Sequence, residues 1–326
     1  MDSLIDSINK EFGEGSVVKF DTKPLDVEVI STGSFSLDRA TGVGGLPKGA
    51  IVEIFGPEAG GKTTIALSVI AQSQKEGGNA VYIDAENSLH VNYLNRLGVD
   101  EKKLIINQPS NGEEALNIAE RFIKSGKVDV IVIDSVAMLE PTEEAEADIG
   151  KQTMGLKARM MSQAFRKLSP IIRKTGTLAI FINQVRASLG NAGYGNPETT
   201  PGGKALKFAA SMRIDVRRIS HIKQGEKIVG AAVRTKVVKN RYAPPYGQGT
   251  IWLMFDKGIS LAADVFNIGV EEEVIKKTGN TYLFGKEKIG VGLLGSINAL
   301  EENKSLLESI MKTLKEKPKE TDEQRD

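Results

Sequence analysis

The sequence predicts an α/β fold, a mostly parallel sheet with crossover helices and antiparallel additions. Three observations carry that prediction. Apolar strand-like runs alternate with helical stretches through the first two thirds of the chain, a glycine-rich loop joins one such strand to the next helix, and beyond residue 211 the alternation gives way to consecutive strands.

In chain order, Leu4, Ile5, Ile8 and Phe12 recur at helical spacing and residues 16–20 read as a short strand. One helix and one strand cannot bury that stripe alone, so residues 1–23 are expected to dock on the main body or on a neighbouring copy. Strands are expected at 50–55, 80–84, 128–134 and 177–183, with helices at 63–75, 113–125 and 154–174. Pro170 should kink or shorten the last helix, because proline removes a backbone donor and crowds the carbonyl of Arg166. Residues 213–218, 229–238 and 250–255 read as antiparallel additions to the sheet. A third unit begins near Ser260, with helices over 265–277 and 304–315 and a strand over 281–284. Residues 315–326 are charged without apolar periodicity and are expected to be disordered.

Composition sets limits. At 326 residues the chain exceeds the single-core limit of about 250 to 300, which suits one large domain with small appendages. Zero cysteines exclude disulfides and thiol catalysis, and two histidines, His90 and His221, argue against a structural metal site. No basic segment followed by an apolar run opens the chain, and no stretch approaches about 18 apolar residues, so the expectation is a soluble cytoplasmic protein with no membrane association. The net charge of +1 hides a basic segment at 213–241, where nine Lys or Arg face only Asp215 and Glu226. A solvated strand face and a nucleic-acid surface both fit that run.

The glycine-rich loop is Gly56-Pro57-Glu58-Ala59-Gly60-Gly61-Lys62-Thr63, the pattern G-x-x-x-x-G-K-S/T, followed by Thr64. With a strand before it and a helix after it, its backbone N–H groups can turn around a polyphosphate, Lys62 supplies a point charge, and the Thr63 hydroxyl can hold Mg²⁺. ATP or a close relative is the expected ligand. Asp134 ends an apolar strand, where sheets of this kind bind ligands, and can orient the Mg²⁺ shell beside Thr63. Glu86, at the end of the neighbouring strand, could polarise an attacking water; Asp84 competes for that role. Gln184 closes the next strand, where an amide could sense a γ-phosphate. From it leaves a long Gly-rich stretch, 185–203, that reads as a nucleotide-controlled binding loop, and a second candidate loop at 143–153 precedes the helix carrying Lys157 and Arg159.

These segments together resemble the bacterial RecA recombinases: Ile30-Ser31-Thr32-Gly33-Ser34, Gly44-Gly45-Leu46-Pro47, the phosphate loop, Ile83-Asp84-Ala85-Glu86, Val132-Ile133-Asp134-Ser135-Val136, Met154-Gly155-Leu156 with Ala158-Arg159-Met160-Met161-Ser162-Gln163, Phe181-Ile182-Asn183-Gln184, and Gly195-Asn196-Pro197-Glu198-Thr199-Thr200. The resemblance implies a P-loop ATPase core over 24–259, an inter-subunit N-terminal arm over 1–23, a C-terminal α+β domain over 260–314 and a charged tail. It implies ATP and Mg²⁺ as cofactors, Glu86 as the residue activating water and Gln184 as the coupler of ATP to DNA. Tyr93 falls where the family stacks on adenine, and Lys239 and Arg241 where a neighbouring protomer reaches the phosphates. Phe208 lies in the segment relaying ATP state between protomers. The two DNA loops place Met154, Arg159, Arg186, Tyr194, Gly202 and Gly203 at single-stranded DNA, with Arg217 among the basic side chains neutralising phosphates. Implied partners are single-stranded DNA, homologous duplex DNA, further copies in a helical filament and a LexA-type repressor whose self-cleavage is promoted. A ring-forming helicase or an ATP-gated scaffold are the alternatives on the same core.

Four positions depart from the family pattern. Arg241 replaces a lysine, His90 stands where an acidic residue faces the adenine, the 185–199 loop is one residue longer with Tyr194 at its aromatic position, and residues 315–326 hold four basic and five acidic residues instead of a strongly acidic tail.

Overall fold

The computed structural model describes residues 1–13, 16–17, 27–148, 155–187 and 198–317. Its centre is a nine-stranded sheet. From edge to edge the strands are Gly258–Ile259, Gln248–Met254, Lys227–Asn240, Met212–Gln224, Ile51–Gly56, Leu178–Gln184, Val130–Asp134, Ala80–Asp84 and Leu104–Asn107. The run from Met212–Gln224 to Leu104–Asn107 is parallel throughout; the three strands on the other side are antiparallel. The strand expected over 213–218 among the antiparallel additions runs from Met212 to Gln224; it extends the parallel sheet and is antiparallel only to its outer neighbour.

The central strands are apolar on both faces because helices cover both. Val130 and Val132 join the core beneath the helix Lys62–Lys75, while Ile131 and Ile133 face the helices Gly112–Lys124 and Leu156–Thr175. On the second face Phe165 and Phe181 meet edge to face with ring centroids 5.0 Å apart. Helix starts follow side-chain chemistry: Asn111 caps Gly112–Lys124 by accepting from Glu114 N at 2.8 Å, and Ser34 caps Phe35–Ala40.

The C-terminal unit pairs Ile275–Thr278, Thr281–Phe284 and Glu287–Val291 into an antiparallel sheet packed by the helices Leu261–Glu271, Leu293–Glu302 and Lys304–Glu316. Phe35 of the main domain enters this core. At the same seam the buried Asp264 carboxylate accepts from the hydroxyls of Ser34 and Ser36, and Arg39 pairs with Glu272. Burial lifts Asp264 to a pKa of about 7.

Several sequence expectations change. The helix expected over 265–277 ends at Glu271; Glu273 takes a left-handed φ of 59° and 275–278 becomes a strand. Pro170 sits inside an unbroken helix, on its exposed side, where water can satisfy the carbonyl that proline leaves free. The final helix continues through Glu316, so 315 and 316 are ordered rather than part of a tail; 318–326 lie outside the described residues. Of the strand expected at 16–20, Ser16 and Val17 form a bend and the rest lies outside the described residues. The N-terminal helix Asp2–Phe12 forms as expected and buries none of its residues, with Leu4 and Phe12 exposed.

Candidate active site and nucleic-acid loops

The phosphate loop leaves the carboxyl end of Ile51–Gly56 and enters Lys62–Lys75 through Gly61 at a φ of 95°. Gly56 is required by space, since a Cβ there would stand 2.1 Å from the Val216 carbonyl oxygen. Lys62 is buried and donates to the Pro57 carbonyl at 2.7 Å, with Asp134, Glu86 and Glu58 as its surrounding charges. Burial holds its ammonium below the usual lysine range.

Three strand ends converge beside the loop. Asp134 Oδ2 accepts from Thr63 Oγ1 at 2.7 Å and from the Tyr82 hydroxyl at 2.7 Å. Burial raises Asp134 to about 6, against the lowering effect of those donors. Glu86 is held one step away: Ser135 Oγ donates to its Oε1 at 2.6 Å and Gln184 Nε2 donates to the same oxygen at 3.0 Å. Its backbone N–H and that of Ala85 both reach the Asp134 carbonyl. Asp84, in contrast, accepts from Ser88 N, Leu89 N and Gln108 Nε2 and so is occupied in shaping the turn. The geometry separates the two acids that sequence left in competition: Glu86, not Asp84, faces Gln184. Tyr93 OH and Thr64 Oγ1 lie 2.6 Å apart, which brings the proposed adenine platform against the phosphate loop, while His90 is exposed at the start of Val91–Arg96.

Mg²⁺ is a hard cation that keeps several waters and takes one or two protein oxygens beside substrate phosphates. Thr63 and Asp134 meet that requirement, and no cluster of three or more His, Cys, Asp or Glu suited to a metal occurs among the described residues.

Lys239 and Arg241 are not brought to this loop. Lys239 lies level with Arg213 and, one strand further in, Glu53, while Arg241 N donates to the Ser211 carbonyl at the amino end of Ile51–Gly56, so both stand short of the carboxyl end from which the loop leaves and have Met212–Gln224 between them and that strand. Lys239 Nζ donates to the carbonyls of Lys207 and Phe208, and Arg241 to that of Phe208, so the pair fastens the end of Ala205–Ala209 and leaves Phe208 exposed.

The residues expected in DNA-binding loops are partly described. Arg159 and Arg186 are exposed; Arg186–Ala187 pairs with Glu198–Thr199 at the base of the long loop. Gly202 and Gly203 have φ of 85° and 72°, and a Cβ on Gly202 would come within 3.0 Å of Val136. Met154 and Tyr194 lie outside the described residues. Arg217 is not the free phosphate neutraliser expected: its guanidinium is bound by Glu198 and, at 2.9 Å, by Asp215. Sequence reading missed Tyr82 and Ser135; the donor groups of both were legible as polar atoms in apolar runs, but not their targets.

Fold and site together define an ATP-hydrolysing enzyme that works with Mg²⁺ on a RecA-type core. The solved RadB recombinase shares the fold at a TM-score of 0.54 and 21% identity, over 71% of this chain and 98% of that one. The family profile of the RecA N-terminal domain matches residues 1–260 and that of the RecA C-terminal domain residues 263–319. The RecA of Wolinella succinogenes is 49% identical over 95% of this chain and 89% of its own, and that of Thermus thermophilus 50% identical over 95% and 92%. The chain belongs to the RecA family. It is a recombinase and DNA-dependent ATPase that binds single-stranded DNA and assembles with further copies into filaments. The helicase and scaffold alternatives are not favoured. Among the described residues no helix is long and apolar enough to cross a membrane.

Proposed function

We propose that ATP hydrolysis and its coupling to strand exchange run through one chain of side chains, Lys62, Asp134, Glu86 and Gln184. Gly56 to Thr64 cradle the phosphates with Lys62 as point charge; Thr63 and Asp134 would hold Mg²⁺, which would supply charge neutralisation to the phosphates. Glu86 orients and deprotonates the attacking water, and Tyr93 stacks on the adenine. Lys239 and Arg241 serve the nucleotide of an adjacent copy, a reading supported by their distance from their own phosphate loop.

Gln184 reports the state of the site to the 185–199 loop, which holds single-stranded DNA together with the loop near 147–154, through Met154, Arg159, Arg186, Tyr194, Gly202 and Gly203. Pairing with a homologous duplex, rather than protein contacts, then selects the sequence. The boundaries 1–23, 24–259 and 260–314, a cytoplasmic location and promotion of LexA-type repressor self-cleavage complete the reading.

The observation that carries it is the shared Glu86 Oε1, on which Gln184 and Ser135 converge at 3.0 and 2.6 Å, with the long loop starting at the next residue. An amide that hydrogen-bonds the base and opens the DNA loop is placed to make each sensitive to the other. The test is Gln184→Ala in strand exchange between circular single-stranded DNA and homologous linear duplex. Nucleotide binding should survive while DNA stimulation of turnover and joint molecules are lost. Retained stimulation by DNA would refute the coupling role.

A further inference from the structure

We propose that Tyr82 is a positioning residue for Mg²⁺, its hydroxyl fixing the Asp134 carboxylate in the orientation from which that side chain serves the ion. The inference rests on the reading of Thr63 and Asp134 as the metal-binding oxygens.

Strand geometry sets up the contact. Tyr82 lies opposite Val132 in the parallel ladder, so Asp134, two residues further on, projects from the same face on the diagonal. A short polar side chain at 82 would not span that diagonal, and a phenol does, reaching Asp134 Oδ2 at 2.7 Å. Both side chains are sealed from solvent, at 0% and 1% exposure. Tyr82 belongs to the same buried apolar cluster as Ala80, Val130 and Val132.

The two donors on Asp134 Oδ2 differ in kind. Thr63 is itself a proposed ligand, and its hydroxyl must answer to the ion. Tyr82 belongs to the core of the sheet, and among the described residues its hydroxyl bonds to Asp134. It is therefore the constant element that keeps a buried carboxylate from rotating away. Partners of this sort, hydrogen-bonded to a metal-binding side chain, typically contribute about 10- to 100-fold to metal affinity or activity.

The test is equilibrium binding of a fluorescent ATP analogue to the full chain, titrated with Mg²⁺ and repeated in EDTA. Tyr82→Phe keeps the ring and removes only the oxygen. It should raise the Mg²⁺ midpoint by about tenfold and leave EDTA binding at the wild-type value. Thr177→Val is the control for a lost buried hydroxyl, since Thr177 Oγ1 donates to the Val128 carbonyl at 2.8 Å at the far end of the sheet; it should not move the midpoint. An unchanged midpoint in Tyr82→Phe overturns the proposal, as does equal weakening with and without Mg²⁺, which would make the tyrosine a packing residue. Asp134→Asn separates the two levels. If it shifts the midpoint and Tyr82→Phe does not, only the role of Tyr82 falls; if it shifts nothing, the metal site falls and this inference with it.

Discussion

Two buried aspartates, Asp134 at the nucleotide end and Asp264 at the seam with the C-terminal unit, look alike by every local measure. Each is at most 1% exposed, each accepts from two hydroxyls, and burial raises each, to about 6 and about 7. What differs is what stands beyond the donors. Next to Asp134 lie the Lys62 ammonium, the phosphate loop and Glu86; next to Asp264 lie Ser34, Ser36 and an apolar core containing Phe35, Val265 and Phe266. A raised carboxylate pKa therefore marks burial and says nothing by itself about catalysis.

If that distinction is sound, removing charge at the two ends should separate turnover from stability. The largest effect is expected at Glu86. Glu86→Gln preserves an oxygen for Ser135 and Gln184 but cannot take a proton, and should lower DNA-stimulated kcat by about 10² to 10⁴ with stability within about 0.5 kcal/mol of wild type. Steady-state ATPase assays and urea unfolding measure the two. Turnover within a factor of a few of wild type would leave Glu86 as a structural acid, like its counterpart at the seam.

Asp264 should do the reverse. Its folded pKa lies above the ordinary 3.8, so between about pH 4 and pH 7 the folded chain holds a proton that the unfolded chain has released. Stability from this group is full at the acid end of that window and is lost as pH rises through 7, by on the order of 4 kcal/mol at most. Asp264→Asn removes the titration, so the variant should lose less stability than wild type on going from pH 5 to pH 8, at unchanged kcat. Urea unfolding at the two pH values reads the difference directly. A pH slope identical to that of wild type would break the comparison at the seam.

The two ends also differed in how far they could be read from sequence. The phosphate loop is local: eight residues in register with a strand and a helix specify it, and Glu86, Asp134 and Gln184 each end an apolar run on neighbouring strands. Asp264 is invisible in that way, because its partners Ser34 and Ser36 are 230 and 228 residues away. Tyr82 hid inside Val81-Tyr82-Ile83, where an aromatic reads as core; only the ladder register shows its hydroxyl under Asp134. The strand Leu104–Asn107 escaped because four residues at a sheet edge carry little pattern, and 275–278 because the break at Glu273 depends on one left-handed residue. Local chemistry was legible; contacts made by distant segments were not.

Glu198 is an intermediate case, a carboxylate at the base of the long 185–199 loop that is 31% exposed and paired with an Arg217 that is equally exposed. The Arg217 hydrogen bond holds Glu198 below its usual range, yet solvent screening limits the stability such a pair supplies to about 1 kcal/mol or less. Its consequence should appear in binding instead. While Glu198 and Asp215 both hold the guanidinium, Arg217 is not available to release a counterion from DNA. Glu198→Gln removes one of the two anions, and the slope of log K against log salt for single-stranded DNA should steepen by about 0.7, the value of one additional phosphate contact. Binding isotherms between low and moderate salt provide the slope. An unchanged slope would mean that Asp215 alone keeps Arg217 from the nucleic acid, which would place this pair with the seam rather than with the site.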